Sequence, residues 1–165
     1  KDELRSRAEE FVQLAAFAVC DEEYVVDFIR VRTIIRPVPV TPVRMGPKFV
    51  EGVINLRGTV VPLIDMRRRF ELETTNHRQR KIIVMSVSGR IVGLMVDSVT
   101  EVVRVPRGQI RPAPEFFSES QAPFFLGICH YRGRTLVLLN VKNIVATDEV
   151  IVLPDTSLIS ETSSP

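Results

Sequence analysis

FVEGVINLRGTVVPLIDMRRRF, residues 49–70, returns 75 residues later as FFLGICHYRGRTLVLLNVKNIV, residues 124–145. Phe49 and Phe124, Gly52 and Gly127, Arg57 and Arg132, Gly58 and Gly133, and Leu63 and Leu138 fall in register. Apolar positions match apolar positions between them, as Val53 does Ile128 and Ile64 does Leu139. A repeat of this length marks one supersecondary unit used twice. The unit reads as an apolar strand, an Arg-Gly turn, a second apolar strand and a short basic segment. Upstream, YVVDFIRVRTII (24–35) aligns with VGLMVDSVTEVV (92–103) at an offset of 68, the difference being absorbed by a longer second loop. Each unit then holds about five strands, the number of an SH3-like barrel. The fold class expected is all-β: two five-stranded SH3-like barrels around a shared hydrophobic core, with short terminal helices.

The rest of the chain fits that frame. Val/Ile-rich runs at 11–20, 23–29, 30–36, 49–56, 59–64, 81–87, 90–96, 99–104, 125–131 and 134–140 recur about every ten residues, the spacing of an all-β sandwich or barrel pair. Two proline-rich connections, 36–48 and 106–123, read as extended loops. Pro62 interrupts VVPLID and predicts a sheet edge or a bulge, because proline cannot donate to a ladder. Asp65 can cap a short helical turn through 66–70, and Lys142–Ala146 looks similar. The domain organisation expected is a leader at 1–10, a folded body at 11–147 and a tail at 148–165. Within the body, a first barrel would span about 16–80 and a second about 81–147.

Composition narrows the function. Of 165 residues, 22 are basic and 20 acidic, too balanced for a nucleic-acid footprint over the whole chain. One local excess, Arg67, Arg68, Arg69, Arg78, Arg80 and Lys81 with His77, reads as a solvated loop face, since no aromatics interleave for base stacking. Cys20 and Cys129 lie in no CxxC and behave as small hydrophobes, which suits a reducing compartment. The apolar run Phe11–Cys20 is too short to span a bilayer, so the expected localisation is cytoplasmic. His77 and His130, the two histidines, have no zinc-ligand spacing; no nucleophile elbow and no phosphate loop occur. Asp65 and Asp97 read as a cap and a turn former, not as paired acids. Neither catalysis nor a cofactor or metal is expected. Binding is.

GVINLRGTVVPLIDMRRRF, with DEEYVVDFIRVRTI upstream and VGLMVDSVTEVVRVP and QIRPAPEF downstream, resembles the CheW family of chemotaxis coupling proteins over residues 11–147. The NLRG-x-VVP-LID element (55–65) is the most specific part, and RPAPEF (111–116) adds independent weight. The resemblance implies a non-enzymatic adaptor that links the cytoplasmic tip of chemoreceptors to the regulatory domain of a CheA-type histidine kinase. Contact with nucleic acid is not implied, and contact with the membrane would be indirect, through the receptors. The receptor-groove positions implied are Val31, Thr33, Gly52, Arg57, Gly93 and Val102, the glycines allowing a partner to approach closely. Kinase contacts are expected at Val43, Met45 and Val53, taken as exposed apolar residues near the first proline-rich loop.

The chain departs from the family at one point. Where many members carry an acid that pairs with the NLRG arginine, this sequence has Thr33, in Arg30-Val31-Arg32-Thr33-Ile34. Arg57 should then be freer, or paired elsewhere, and Arg30, Arg32 and Arg57 together would favour an acidic partner. Two alternatives stand beside the adaptor reading. One is a CheW-like regulatory domain of a CheA kinase or of a CheW–receiver fusion. The other, less favoured, is a basic SH3-like nucleic-acid-binding module.

Overall fold

The computed structural model describes residues 9–43, 46–73, 80–112 and 122–146. Eleven strands lie in these segments: β1 (Phe11–Val19), β2 (Glu22–Asp27), β3 (Val31–Ile35), β4 (Val50–Leu56), β5 (Thr59–Asp65), β6 (Lys81–Val87), β7 (Arg90–Val96), β8 (Ser98–Pro106), β9 (Arg111–Pro112), β10 (Phe125–Tyr131) and β11 (Arg134–Leu139). Two short helices, α1 (Met66–Arg69) and α2 (Val141–Val145), follow β5 and β11. Asp65 and Asn140 cap them, accepting from the backbone of Arg67 and Asn143 at 2.9 and 3.3 Å. The expectations for the leader before residue 9, Met45, the loop at 74–79 and most of RPAPEF lie outside the described residues, as does the tail from 147.

Hairpin turns fix the registers. Arg57-Gly58, Ser88-Gly89 and Arg132-Gly133 each place two successive residues at positive φ, between 49° and 86°. That geometry matches the right-handed twist of the flanking strands, and each turn needs two such residues. Cys20 adopts φ 55° at the turn between β1 and β2.

The strands assemble into two sheets, ordered β8-β1-β2-β11-β10-β9 and β3-β6-β7-β5-β4. This corrects the expected division at residue 80. β6 and β7 belong with β3, β4 and β5, whereas β1 and β2 pair with strands from the second half of the chain. The repeats are exchanged. The five-stranded sheet takes three strands from the first repeat and two from the second, and the six-stranded sheet two from the first and four from the second; the parallel pairs β5–β7 and β2–β11 join them. The crossings occur at a tight 3-10 turn, Phe28–Arg30, and at its counterpart Asp97 between β7 and β8.

Pro62 is the second difference. It stands in β5, inside the five-stranded sheet rather than at its edge. Pairing with β7 begins only at Leu63, and the register shift against β4 falls between Val50 and Gly52. The missing N–H therefore falls where β5 has a single neighbour, which tolerates proline.

Because both faces of the five-stranded sheet are covered, its inner strands read as continuous apolar runs. Along β6, Ile82 and Val84 enter a core internal to that sheet, whereas Ile83 and Met85 enter a larger core between the sheets. The shared core also takes Ala15, Phe17 and Val19 of β1, Tyr24 and Val26 of β2, and Leu139 of β11. Leu14, Ala16, Val25, Val103 and Leu136 fill the other sheet's own interior.

Candidate functional site

β3 and β8 are the outer strands on one side of each sheet. Residues directly opposed across a ladder share a face. Val31 opposes Met85 and Ile34 opposes Ile83, both in the shared core. Val102 of β8 opposes Ala15, also in the shared core. Val31, Ile34 and Val102 thus sit on two rims of one seam, an outer strand of each sheet supplying one rim. Ile34 is 41% exposed and Val102 47%, whereas Val31 is half-buried against the core. The turn leading into β3 adds Phe28, 38% exposed, and Ile29, at 85% the most exposed large hydrophobic side chain of the described residues. Asp27 fixes that turn by accepting from the Ile29 backbone at 3.1 Å.

The other groove candidates lie elsewhere on the same sheet. Thr33 opposes Val84, Val84 opposes Gly93, Gly93 opposes Leu63, and Leu63 opposes Gly52, a single row across all five strands. Val84 and Leu63 place this row on the sheet's internal face, away from the rims. The reason expected for the two glycines is corrected here. A Cβ on Gly52 would lie 2.2 Å from the Thr41 carbonyl oxygen, because residue 41 bridges to Val53 over this position. A Cβ on Gly93 would meet Ile82 and Leu63 at 3.0 and 3.2 Å. The chain's own atoms fill the space that was assigned to a partner.

Arg57 projects from the β4–β5 turn and is exposed. Val31 opposes Met85 near the end of β6, and β5 runs parallel to β7, so this turn, the β6–β7 turn and the start of β3 share one end of the sheet. Among the described residues no carboxylate lies within ion-pair distance of Arg57; Asn55 holds the turn by accepting from Gly58 N–H at 2.8 Å.

Of the expected kinase contacts, Val43 is half-buried and lines a shallow, open concavity with Pro42, Gly46, Pro47, Lys48 and Val50. Val53, by contrast, is 4% exposed and covered by Thr41, so the expectation of an exposed anchor fails.

Within the basic cluster Arg67, Arg69 and Arg80 do not form a solvated face, and Arg78 and His77 lie outside the described residues. Arg67 is 7% exposed, donating to both Asp97 carboxylate oxygens at 2.8 and 2.6 Å and to the Glu73 carbonyl at 2.9 Å. The hydrogen bond to Asp97 raises its pKa against the opposing effect of burial. Asp97 also accepts from the Cys20 N–H at 2.7 Å, so Asp97 links the β1–β2 turn to α1. Arg80 reaches the buried Asp65 at 3.3 Å. Arg69 donates to the carbonyls of Ile144, Asn143 and Ala146 at 2.8, 3.1 and 3.0 Å and lies over the rings of Phe49 and Phe124. Only Arg68 of the α1 arginines is exposed. The sequence offered the run of charges but no sign that their partners, Asp97 and the end of α2, would fold against it. Ile34, Phe28 and Ile29 were missed as rim residues for a similar reason: in a strand, an apolar side chain reads as core.

The comparisons agree with this architecture. The CheW-like domain family matches residues 13–149. The chemotaxis protein CheW of Rhizobium meliloti is 34% identical over 138 residues, covering 83% of this chain and 89% of that protein. The chemotaxis protein CheW of Klebsiella aerogenes is 33% identical, with 83% of each covered. Among solved structures, the scaffolding protein TtCheW of Thermoanaerobacter tengcongensis superposes with a TM-score of 0.80 at 26% identity, over 87% of this chain and 99% of that one. The chain belongs to the CheW-like domain family, and its two sheets form that family's pair of SH3-like barrels.

Proposed function

We propose that this chain is a non-enzymatic coupling adaptor of a bacterial chemosensory pathway, acting in the cytoplasm between chemoreceptors and a CheA-type histidine kinase. The observation that carries this reading is the seam with two apolar rims, half-buried Val31 and exposed Ile34 on one sheet and exposed Val102 on the other. An amphipathic helix from a receptor's cytoplasmic tip can lay its apolar face along such a seam, with a polar rim setting register. Exposed Arg32 and Arg57 supply positive charge at this side of the molecule and favour an acidic tip. The kinase's regulatory domain would meet the concavity around Val43, with Met45 from the same loop. Val53 acts there only by holding Thr41 in place. Thr33, Gly52 and Gly93 then shape the sheet behind the rim rather than touch the partner. Among the described residues no helix is long and apolar enough to cross a membrane.

Calorimetric titration with a receptor cytoplasmic fragment and, separately, with the kinase's regulatory domain tests the proposal. Val102→Asp should weaken receptor binding by a few kcal/mol if it is a central anchor and leave kinase binding intact, and Val43→Asp should do the reverse. Failure of the unmodified protein to bind either partner would overturn it.

A further inference from the structure

The two sheets are held together mainly by apolar contact, which resists separation but is non-directional and sets no angle between them. Among the described residues, directional side-chain contacts between the sheets are concentrated at two places. One is Asp97, whose N–H donates to Ala18 and whose carboxylate takes Cys20 N–H and Arg67. The other is Arg69. Its guanidinium extends from α1, which follows β5 of the five-stranded sheet, to three carbonyls at the end of α2, which follows β11 of the six-stranded one. It lies 4.0 Å from the Phe49 ring centroid and 4.5 Å from that of Phe124, residues in register in the repeat. By the same register the counterpart of Arg69 is Ile144, the residue whose carbonyl accepts its Nε–H at 2.8 Å. One arginine placed between repeat-related rings therefore serves both halves, and cations are favoured at a helix C-terminus.

We propose that Arg69 is a positioning residue for the groove: it fixes the setting of one sheet against the other, and so the separation of the Val31/Ile34 rim from the Val102 rim. With the clasp removed, the sheets retain the tie at Asp97 and the chain crossing at Phe28–Arg30 and shift about them, and a docking helix meets a seam of variable width. The consequence for binding rests on the reading of this seam as a receptor site; the consequence for the rims does not.

The test is the distance distribution between spin labels at Ile34→Cys and Val102→Cys, in a full-length Cys20→Ser, Cys129→Ala background. Circular dichroism establishes that each variant is folded at the temperature used. With Arg69 present a single narrow distance is expected. Arg69→Met, which keeps the stem and removes charge and donors, should broaden or shift it, and Arg69→Lys should restore most of the narrow component. On unlabelled protein, Arg69→Met should weaken binding of a receptor cytoplasmic fragment about tenfold, within the usual range of coupling between distant sites. If Arg69→Met does not fold, Phe124→Leu, which removes one ring of the sandwich, should give the same broadening. An unchanged distribution in a folded clasp variant overturns the proposal. Failure of the unmodified protein to bind the receptor fragment instead removes the functional reading and leaves the distance result to judge the clasp.

Discussion

Arg57 and Gly52 are both in the repeated motif, yet they carry different physics. Arg57 stands at φ 53° on an exposed turn with no ion-pair partner among the described residues. Alanine would keep the same backbone strain, so Arg57→Ala should change stability by no more than about 0.5 kcal/mol, the usual range for surface sites. It should nevertheless weaken receptor or kinase binding. Thr33→Glu, restoring the acid that many relatives carry, should weaken binding in the same direction by drawing the arginine back, and should reduce the salt dependence of association. Binding isotherms and thermal midpoints on both variants decide it; a large stability loss with unchanged binding would make Arg57 structural. Gly52 is the opposite case. A methyl group 2.2 Å from a backbone oxygen cannot be absorbed by a side-chain rotation. Gly52→Ala should destabilise by about 3 kcal/mol as residues 40–41 are forced off β4, with Gly58→Ala, where nothing lies within 4 Å of the Cβ, as a comparison that isolates turn strain from collision.

Several elements meet around Tyr24 of β2. Its ring lies 5.1 Å from Phe70, 6.1 Å from Phe17 and 6.4 Å from Phe125, so β1, β2, the end of α1 and β10 converge on one side chain. Burial, aided by Glu22, pushes its pKa up to about 12. An unfolded tyrosine ionises near pH 10, so below that pH both states keep the proton and the shift has no effect on stability. Between about pH 10 and 12 the unfolded chain loses its proton first, and stability should fall as pH rises, by about 2–3 kcal/mol in all. Tyr24→Phe should flatten this part of the profile, measured as denaturation midpoints against pH. A slope unchanged by the substitution would assign the alkaline loss to other groups. At the same scale, Asp97→Asn should cost about 3–5 kcal/mol, because buried Arg67 would lose the carboxylate that accepts two of its hydrogen bonds.

Across the whole molecule, the exchanged repeats have a consequence for folding. Neither repeat contains a complete sheet, since β1 and β2 complete the sheet of β8–β11, and β6 and β7 complete that of β3–β5. Residues 1–80 and 81–165 expressed separately should show no cooperative thermal unfolding. Co-expressed, they should associate and regain it. Cooperative melting of either half alone would show that the exchange is not required for stability.

The sequence by itself determined ten of the eleven strands, the Arg-Gly turns, the helix cap at Asp65 and the family, because these rest on alternation, turn chemistry and motif order within short stretches. Only the tertiary structure decided which strand pairs with which. A repeat at a fixed offset is equally compatible with two self-contained barrels and with two that trade strands, and the choice turns on the crossings at 28–30 and 97, where the local sequence is neutral. It also decided the fate of Arg67 and Arg69, whose guanidinium groups are satisfied by the Asp97 carboxylate and by helix-end carbonyls distant along the chain. The bare faces of Gly52 and Gly93 were settled in the same way. A glycine advertises a close approach, but the approaching atoms, here Thr41 for Gly52 and Ile82 and Leu63 for Gly93, are named only when the chain has folded onto itself.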